Sequence, residues 1–320
     1  MDRRAFLLTA AALPFSLAYG PRATAGGIPD RPFALVTADL DAHVVAVDLS
    51  NGRVLGRIPT QLGPRSIEAL PGGGAFVAHT DLGRVTLLDA RSFRVRRVIG
   101  GFRAPRYTAA FGDHAYVTDS ARGEVVTVNA ARGTVVSRAS VAGPARHVTI
   151  TRDGEMIWAA LGSKAREVAV LDASVPRRLR PVRTLATPFL AHDVVAAPDG
   201  EHIWVTSGDS RRVAVYHRSG RRPLETLAAG APPQHIAFVR QFAFVASGDD
   251  GTVRIHRLDG TLVHEAEVPI GSYNVSFGDR YAIAPSLLRG TVAVLDPRGR
   301  IGAVRWVARA AHDACIVVDT

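Results

Sequence analysis

Residues 105–140 read PRYTAAFGDHAYVTDSARGEVVTVNAARGTVVSRAS. Four short segments rich in β-branched, aromatic and small apolar residues are separated by joints containing Gly, Asp or Asn. Alternation within the segments and turn residues between them predict four antiparallel strands and exclude a helix. The second segment ends aromatic-Val-Thr. The third has the form Val-x-apolar-apolar-polar.

The same unit returns along the chain. The third segment recurs at 44–48, 85–89, 125–129, 168–172, 213–217, 253–257 and 292–296. The second recurs as Phe76-Val77-Ala78, Ile157-Trp158-Ala159, Trp204-Val205-Thr206 and Phe244-Val245-Ala246, with further copies around Val36, Val117 and Ile283. The positions leading into the first segments are Arg65, Arg106, Arg146, His192, Gln234, Tyr273 and His312, spaced 39 to 46 residues apart. Seven units of about 40 residues with four strands each predict an all-β fold, a seven-bladed β-propeller. The first unit opens with a second strand, and the last residues, 312–318, supply a lone first strand. That strand is expected to join the N-terminal three and close the ring, which removes the exposed edges of an open array.

Composition agrees. In 320 residues, 47% are hydrophobic and 21% charged, enough for a large core and too apolar for disorder. A single cysteine, Cys315, rules out a disulfide framework, a thiolate metal cluster and covalent c-type haem. The formal charge of +10 comes from arginine, since Lys164 is the one lysine. A solvated Arg-rich surface accounts for most of that surplus.

Residues 1–25 begin Met-Asp-Arg-Arg-Ala-Phe-Leu-Leu, run apolar to Ala18 and end Ala23-Thr24-Ala25. A charged start, an apolar middle and a small-x-small end make an export signal. Arg3-Arg4 ahead of the apolar run resembles the twin-arginine type, with Asp2 where that motif prefers Ser or Thr. The run is too short to span a bilayer comfortably, and Pro14 interrupts it. The expected mature chain is one propeller domain, residues 26–320. It would be exported folded, be periplasmic or extracellular, and have no transmembrane segment after signal removal.

Tyr116-Val117-Thr118-Asp119 and Trp204-Val205-Thr206-Ser207 resemble the motif for which YVTN-repeat propellers are named, and Pro198-Asp199-Gly200 and Asp153-Gly154 resemble that family's turn. The resemblance covers the whole mature chain and implies an exported seven-bladed propeller. It implies no activity, because the family includes adhesive proteins and nucleic-acid binders, and related propellers include lactonases and the haem d1 domain of nitrite reductase.

Propeller first strands surround a central channel, so their leading residues meet at its mouth. Behind the first ring of seven stands a second: Ser66, Tyr107, His147, Asp193, His235, Asn274 and Asp313. None of the fourteen is aliphatic, and the residues that follow are mostly apolar. Four explanations stay open. Polar mouths are wet, and these residues can simply bond loop backbones and ordered water. His147, His192, His235 and His312, with Asp193 and Asp313, can ligate a divalent transition metal, the one cofactor this pattern suggests. Arg65, Arg106 and Arg146, on adjacent blades and with Tyr107, Tyr273 and Asn274 near, can hold a small anion. A lactonase- or lyase-like enzyme would use His192 or His235 as base, though no Ser/His/Asp spacing supports a nucleophile. The expected function is a binding or scaffold protein for a small anionic ligand, a metal or a protein partner. Single-stranded nucleic acid is a less favoured partner.

Other residues carry plainer roles. Trp158 and Trp204 belong to the core. Asp48, Asp89, Asp172 and Asp296 cap the turns after third strands. Arg177, Arg178, Arg180 and Arg183 form a surface insertion at 176–181 and just beyond. Cys315 is a small buried hydrophobe. Glu68, deeper along one inner strand, either pairs with an arginine or lines a water-filled channel. Replacing Arg3 and Arg4 together by Lys should retain the precursor in the cytoplasm. Fractionation that still finds it exported would refute the twin-arginine assignment.

Overall fold

The computed structural model describes residues 32–162 and 165–317. The leader 1–25 lies outside them. The described residues form seven four-stranded antiparallel sheets, each a blade. The stretch 105–140 is one blade: Pro105–Phe111, His114–Asp119, Glu124–Asn129 and Thr134–Ser140. No described helix is long and apolar enough to cross a membrane, and the one helical element is a 3-10 turn, Pro176–Arg178.

Burial follows position in the blade. Second strands such as Phe33–Ala38 and Gly74–His79 are buried throughout, while the outer strand Arg94–Ile99 is exposed except at Ile99. Strands covered on both faces read as apolar runs, and outer strands carry charge. Seven apolar clusters fill the seven interfaces between neighbouring blades. Trp158 and Trp204 are buried in two of them. The Arg-rich insertion is smaller than expected. Arg180 and Arg183 belong to the outer strand Arg180–Ala186, and the Arg183 guanidinium lies 5.9 Å from the Trp158 ring centre. Asp48, Asp89, Asp172 and Asp296 each accept a backbone N–H two residues on.

The strand Ala311–Val317 pairs with Phe33–Ala38, with Ala34 opposite Ile316 and Leu35 opposite Cys315, and so closes the ring. Its side chains pack against the seventh blade on one side and the second on the other.

The inner strands share an irregularity that strict alternation does not foresee. At the mouth, two residues face one. The Arg146 N–H donates to the Ala160 carbonyl, and the Ala160 N–H donates to the His147 carbonyl. Gln234 and His235 stand in the same relation to Ala246. Register also jumps around Arg106-Tyr107, His192-Asp193 and His312-Asp313. Such bulges re-aim side chains, so both polar rings line the lumen instead of alternating.

A threonine fixes the bulge in three blades. Thr118 Oγ1 accepts the Tyr107 N–H at 3.1 Å and donates to the Arg146 carbonyl of the next blade at 2.5 Å. Thr37 does the same for Asp313 and Arg65, and Thr206 for Asp193 and Gln234. Each hydroxyl joins two blades.

Because Ile316 fills the junction where the ring closes, Ile316→Ala should cost about 2–4 kcal/mol. Leu62→Ala, on an exposed turn, should stay within about 0.5 kcal/mol. Urea melts of the two variants against the parent measure both, and equal losses would count against closure by packing.

Candidate metal centre

His147 precedes the inner strand Val148–Ile150, His192 lies in Ala191–Ala196, and His235 precedes Ile236–Val239. These are three consecutive blades. Each histidine offers one ring nitrogen such that all three atoms lie within 4.8 Å of one another. His147 Nε2 and His235 Nε2 are 3.1 Å apart. The two rings share a hydrogen bond at that distance, and nitrogens held at about 2.0–2.1 Å by one tetrahedral ion stand about 3.3–3.4 Å apart, so a small separation would bring the pair to ligand spacing.

The surroundings suit ligation. Burial pushes His147 and His192 well below the ordinary imidazole range. Neighbouring imidazoles and the Arg146 charge add to this, while the backbone carbonyls of His192 and Gln234 act in the opposite sense. Both rings are therefore neutral at neutral pH, the form that binds metal. Asp193 Oδ2 lies 3.3 Å from His235 Nδ1. A carboxylate behind an imidazole fixes the tautomer and leaves the far nitrogen to a metal. The same carboxylate group takes the Val194 and Ile236 backbone N–H groups. Asp193 thus stands on the Nδ1 side of His235, away from the nitrogen that faces His147. The Tyr107 ring stacks on His147 with centres 3.8 Å apart. It is buried, with its hydroxyl pushed up to about 12 by burial, so it offers no face to a nucleobase or sugar.

The other mouth residues fall elsewhere. His312 stands outside the trio, with Nδ1 3.6 Å from Asp39. Asp313 accepts the Ile67 and Ala314 N–H groups. Asn274 donates to the His312 carbonyl at 2.7 Å, and the Tyr273 hydroxyl donates to Asp249 at 2.9 Å. Arg65 pairs with Asp39 at 3.0 Å. Arg106 and Arg146 make no ion pair among the described residues. Arg65 and Arg146 border a vestibule of about 320 Å³ with His192, His235, Tyr273 and His312. Arg106 instead shares an adjoining pocket with Arg146. Asp39 and Asp249 were not among the residues read from sequence. Their signal was an Asp recurring in the turn after second strands, as at Asp39, Asp81, Asp209 and Asp249.

Below the trio lies a second cavity of about 340 Å³, bordered by Glu68, Tyr107, His147, Asp193, His235 and Asp313 among others. Glu68 faces this lumen and has no arginine partner among the described residues. Burial, with the Asp313 charge adding to it, pushes its carboxyl up to about 8. Asp313 is pushed up to about 6, chiefly by burial. The Cys315 thiol is raised by burial and by the same two carboxylates, so it has no thiolate reactivity.

No protein-family profile matches the chain, and no curated protein does. Solved structures do. A protein of unknown function from Desulfotomaculum acetoxidans superposes with a TM-score of 0.78 at 12% identity, over 90% of this chain and 99% of that one. AztD from Citrobacter koseri gives 0.68 at 12%, over 90% and 98%. The dihydro-heme d1 dehydrogenase NirN, in complex with DHE, gives 0.66 at 17%, over 91% and 67%. At these identities the likeness shows the propeller fold alone.

Glu68 makes stability depend on pH. The folded chain keeps a proton that the unfolded chain releases near pH 4.3. Its contribution is full below that value and is lost as pH rises toward about 8. Glu68→Gln should therefore raise the melting temperature by a few degrees at pH 9 and change it little at pH 4.5. An equal shift at both pH values would show that charge is not the cause.

Proposed function

We propose that the protein is an exported metal-binding propeller in which His147, His192 and His235 hold one divalent transition metal. One observation carries this: three imidazoles from consecutive blades converge with their ligand nitrogens within 4.8 Å of one another. Three neutral imidazoles with a carboxylate behind one of them suit zinc, copper or nickel. Three protein ligands also leave a coordination position open, and His192 and His235 border the vestibule above. The export signal at 1–25 supports placing the protein outside the cytoplasm.

For the hydrolase alternative, no serine among the described residues bonds His192 or His235. Hydrolysis at this site would draw on the Lewis acidity of a metal held by His147, His192 and His235 and not on a serine nucleophile.

Zinc titration with mass spectrometry should give one ion per chain. His147→Ala, His192→Ala and His235→Ala should each weaken zinc at least about a hundredfold. Asp193→Asn should weaken it about 10–100-fold. His312→Ala should leave affinity unchanged. Absence of stoichiometric metal, or equal loss in His312→Ala, would overturn the assignment.

A further inference from the structure

The imidazole trio has guanidinium neighbours. Arg146 immediately precedes His147 on the same bulge, and it borders the vestibule together with His192, His235 and His312. Its Nε is buried without a hydrogen bond, as is that of Arg65. Arg106, between them in the ring, feels both charges as well as its own burial, each disfavouring its charged form. Three guanidiniums on consecutive blades therefore concentrate positive charge beside the trio. Asp39 offsets Arg65, and Asp209 borders the vestibule. Asp81 partly offsets Arg106, and Arg146 makes no ion pair among the described residues.

A dication on three neutral imidazoles would add two positive charges beside the Arg146 guanidinium, which borders the same vestibule. Low local dielectric makes that repulsion costly. It is relieved if the fourth ligand is an anion. The vestibule of about 320 Å³ adjoins the trio and has room for a small organic anion, since a water occupies about 30 Å³. Guanidinium forks match carboxylate and phosphate oxygens bidentately.

We propose that the open side of the trio is completed by a small oxyanion, a carboxylate or phosphate, that bridges the bound metal and the Arg146 and Arg65 guanidiniums. Metal and anion then bind cooperatively, each raising the affinity for the other by the same factor. This rests on the trio binding a metal.

Cobalt(II) tests both steps. The visible band of cobalt held by imidazoles should appear at one equivalent. Its absence would overturn the metal assignment and this proposal with it. Acetate or inorganic phosphate should then shift the band saturably. A shift with acetate alone identifies a carboxylate site, and one with phosphate alone a phosphate site. A band that neither anion moves would overturn the bridge while leaving the metal in place. Arg146→Gln should weaken the anion at least about tenfold and bind cobalt without anion as tightly as the parent or more so, because a neighbouring positive charge is gone. Unchanged anion affinity in that variant would overturn the bridge. Should Arg146→Gln fail to fold, Arg65→Gln tests the other wall, with the same anion weakening expected.

Discussion

The mouth is organised by a shortage of partners for backbone carbonyls. At five of the inner strands the leading carbonyl faces the neighbouring blade and accepts a side-chain hydrogen bond from it. Buried carbonyls are rarely left unpaired, and the preceding blade supplies the donor. Thr37 donates to Arg65, Ser66 to Arg106, Thr118 to Arg146, Thr206 to Gln234 and Asn274 to His312. These bonds hold the inner strands at a common height, and the two polar rings take their positions from them. Ser66 and Asn274 hold second-ring positions, and the fourth blade has His147 there, its Nδ1 buried without a hydrogen bond.

Electrostatics then divides the mouth. Blades two to four present Arg65, Arg106 and Arg146, and blades four to six present His147, His192 and His235. The two arcs overlap at the fourth blade, where Arg146 and His147 are successive residues. The second-ring carboxylates are withdrawn, while Asp209 still borders the vestibule and Asp39 pairs with Arg65. Asp193 and Asp313 bend back to accept inner-strand amides, and Glu68 lies below the trio. The vestibule is left positive on one wall and rich in neutral nitrogen donors on the other. The lower cavity holds carboxyls whose charge burial opposes.

The fold was legible in the sequence because it rests on period and turn chemistry, which are local. Residues 105–140 alone contain the unit, and the closing strand follows from the copy that lacks a first strand. The core positions of Trp158 and Trp204 and the capping by Asp48 and its equivalents follow in the same way. The mouth residues were legible as a set but not as an arrangement. Strict alternation would send one ring inward and the next outward. The bulges override it, and a bulge depends on hydrogen bonds to a partner strand that spacing does not encode. Tyr107 shows the consequence. By sequence it stands beside the anion-holding arginines, but its ring is packed against His147.

The same geometry explains why four mouth histidines give three neighbours and not four. The trio joins the second-ring residues of two flanking blades, His147 and His235, to the first-ring residue of the blade between, His192. A first-ring side chain meets such partners only when both adjacent blades carry ligands in the second ring. For His312 the flanking second-ring residues are Asn274 and Ser66, and both are engaged with backbone carbonyls. His312 therefore stays apart, its Nδ1 buried without a hydrogen bond. In a closed ring, the blade order of a residue type carries the information that linear spacing lacks. Histidines at second, first and second ring on consecutive blades converge, and the same residue placed elsewhere around the circle does not.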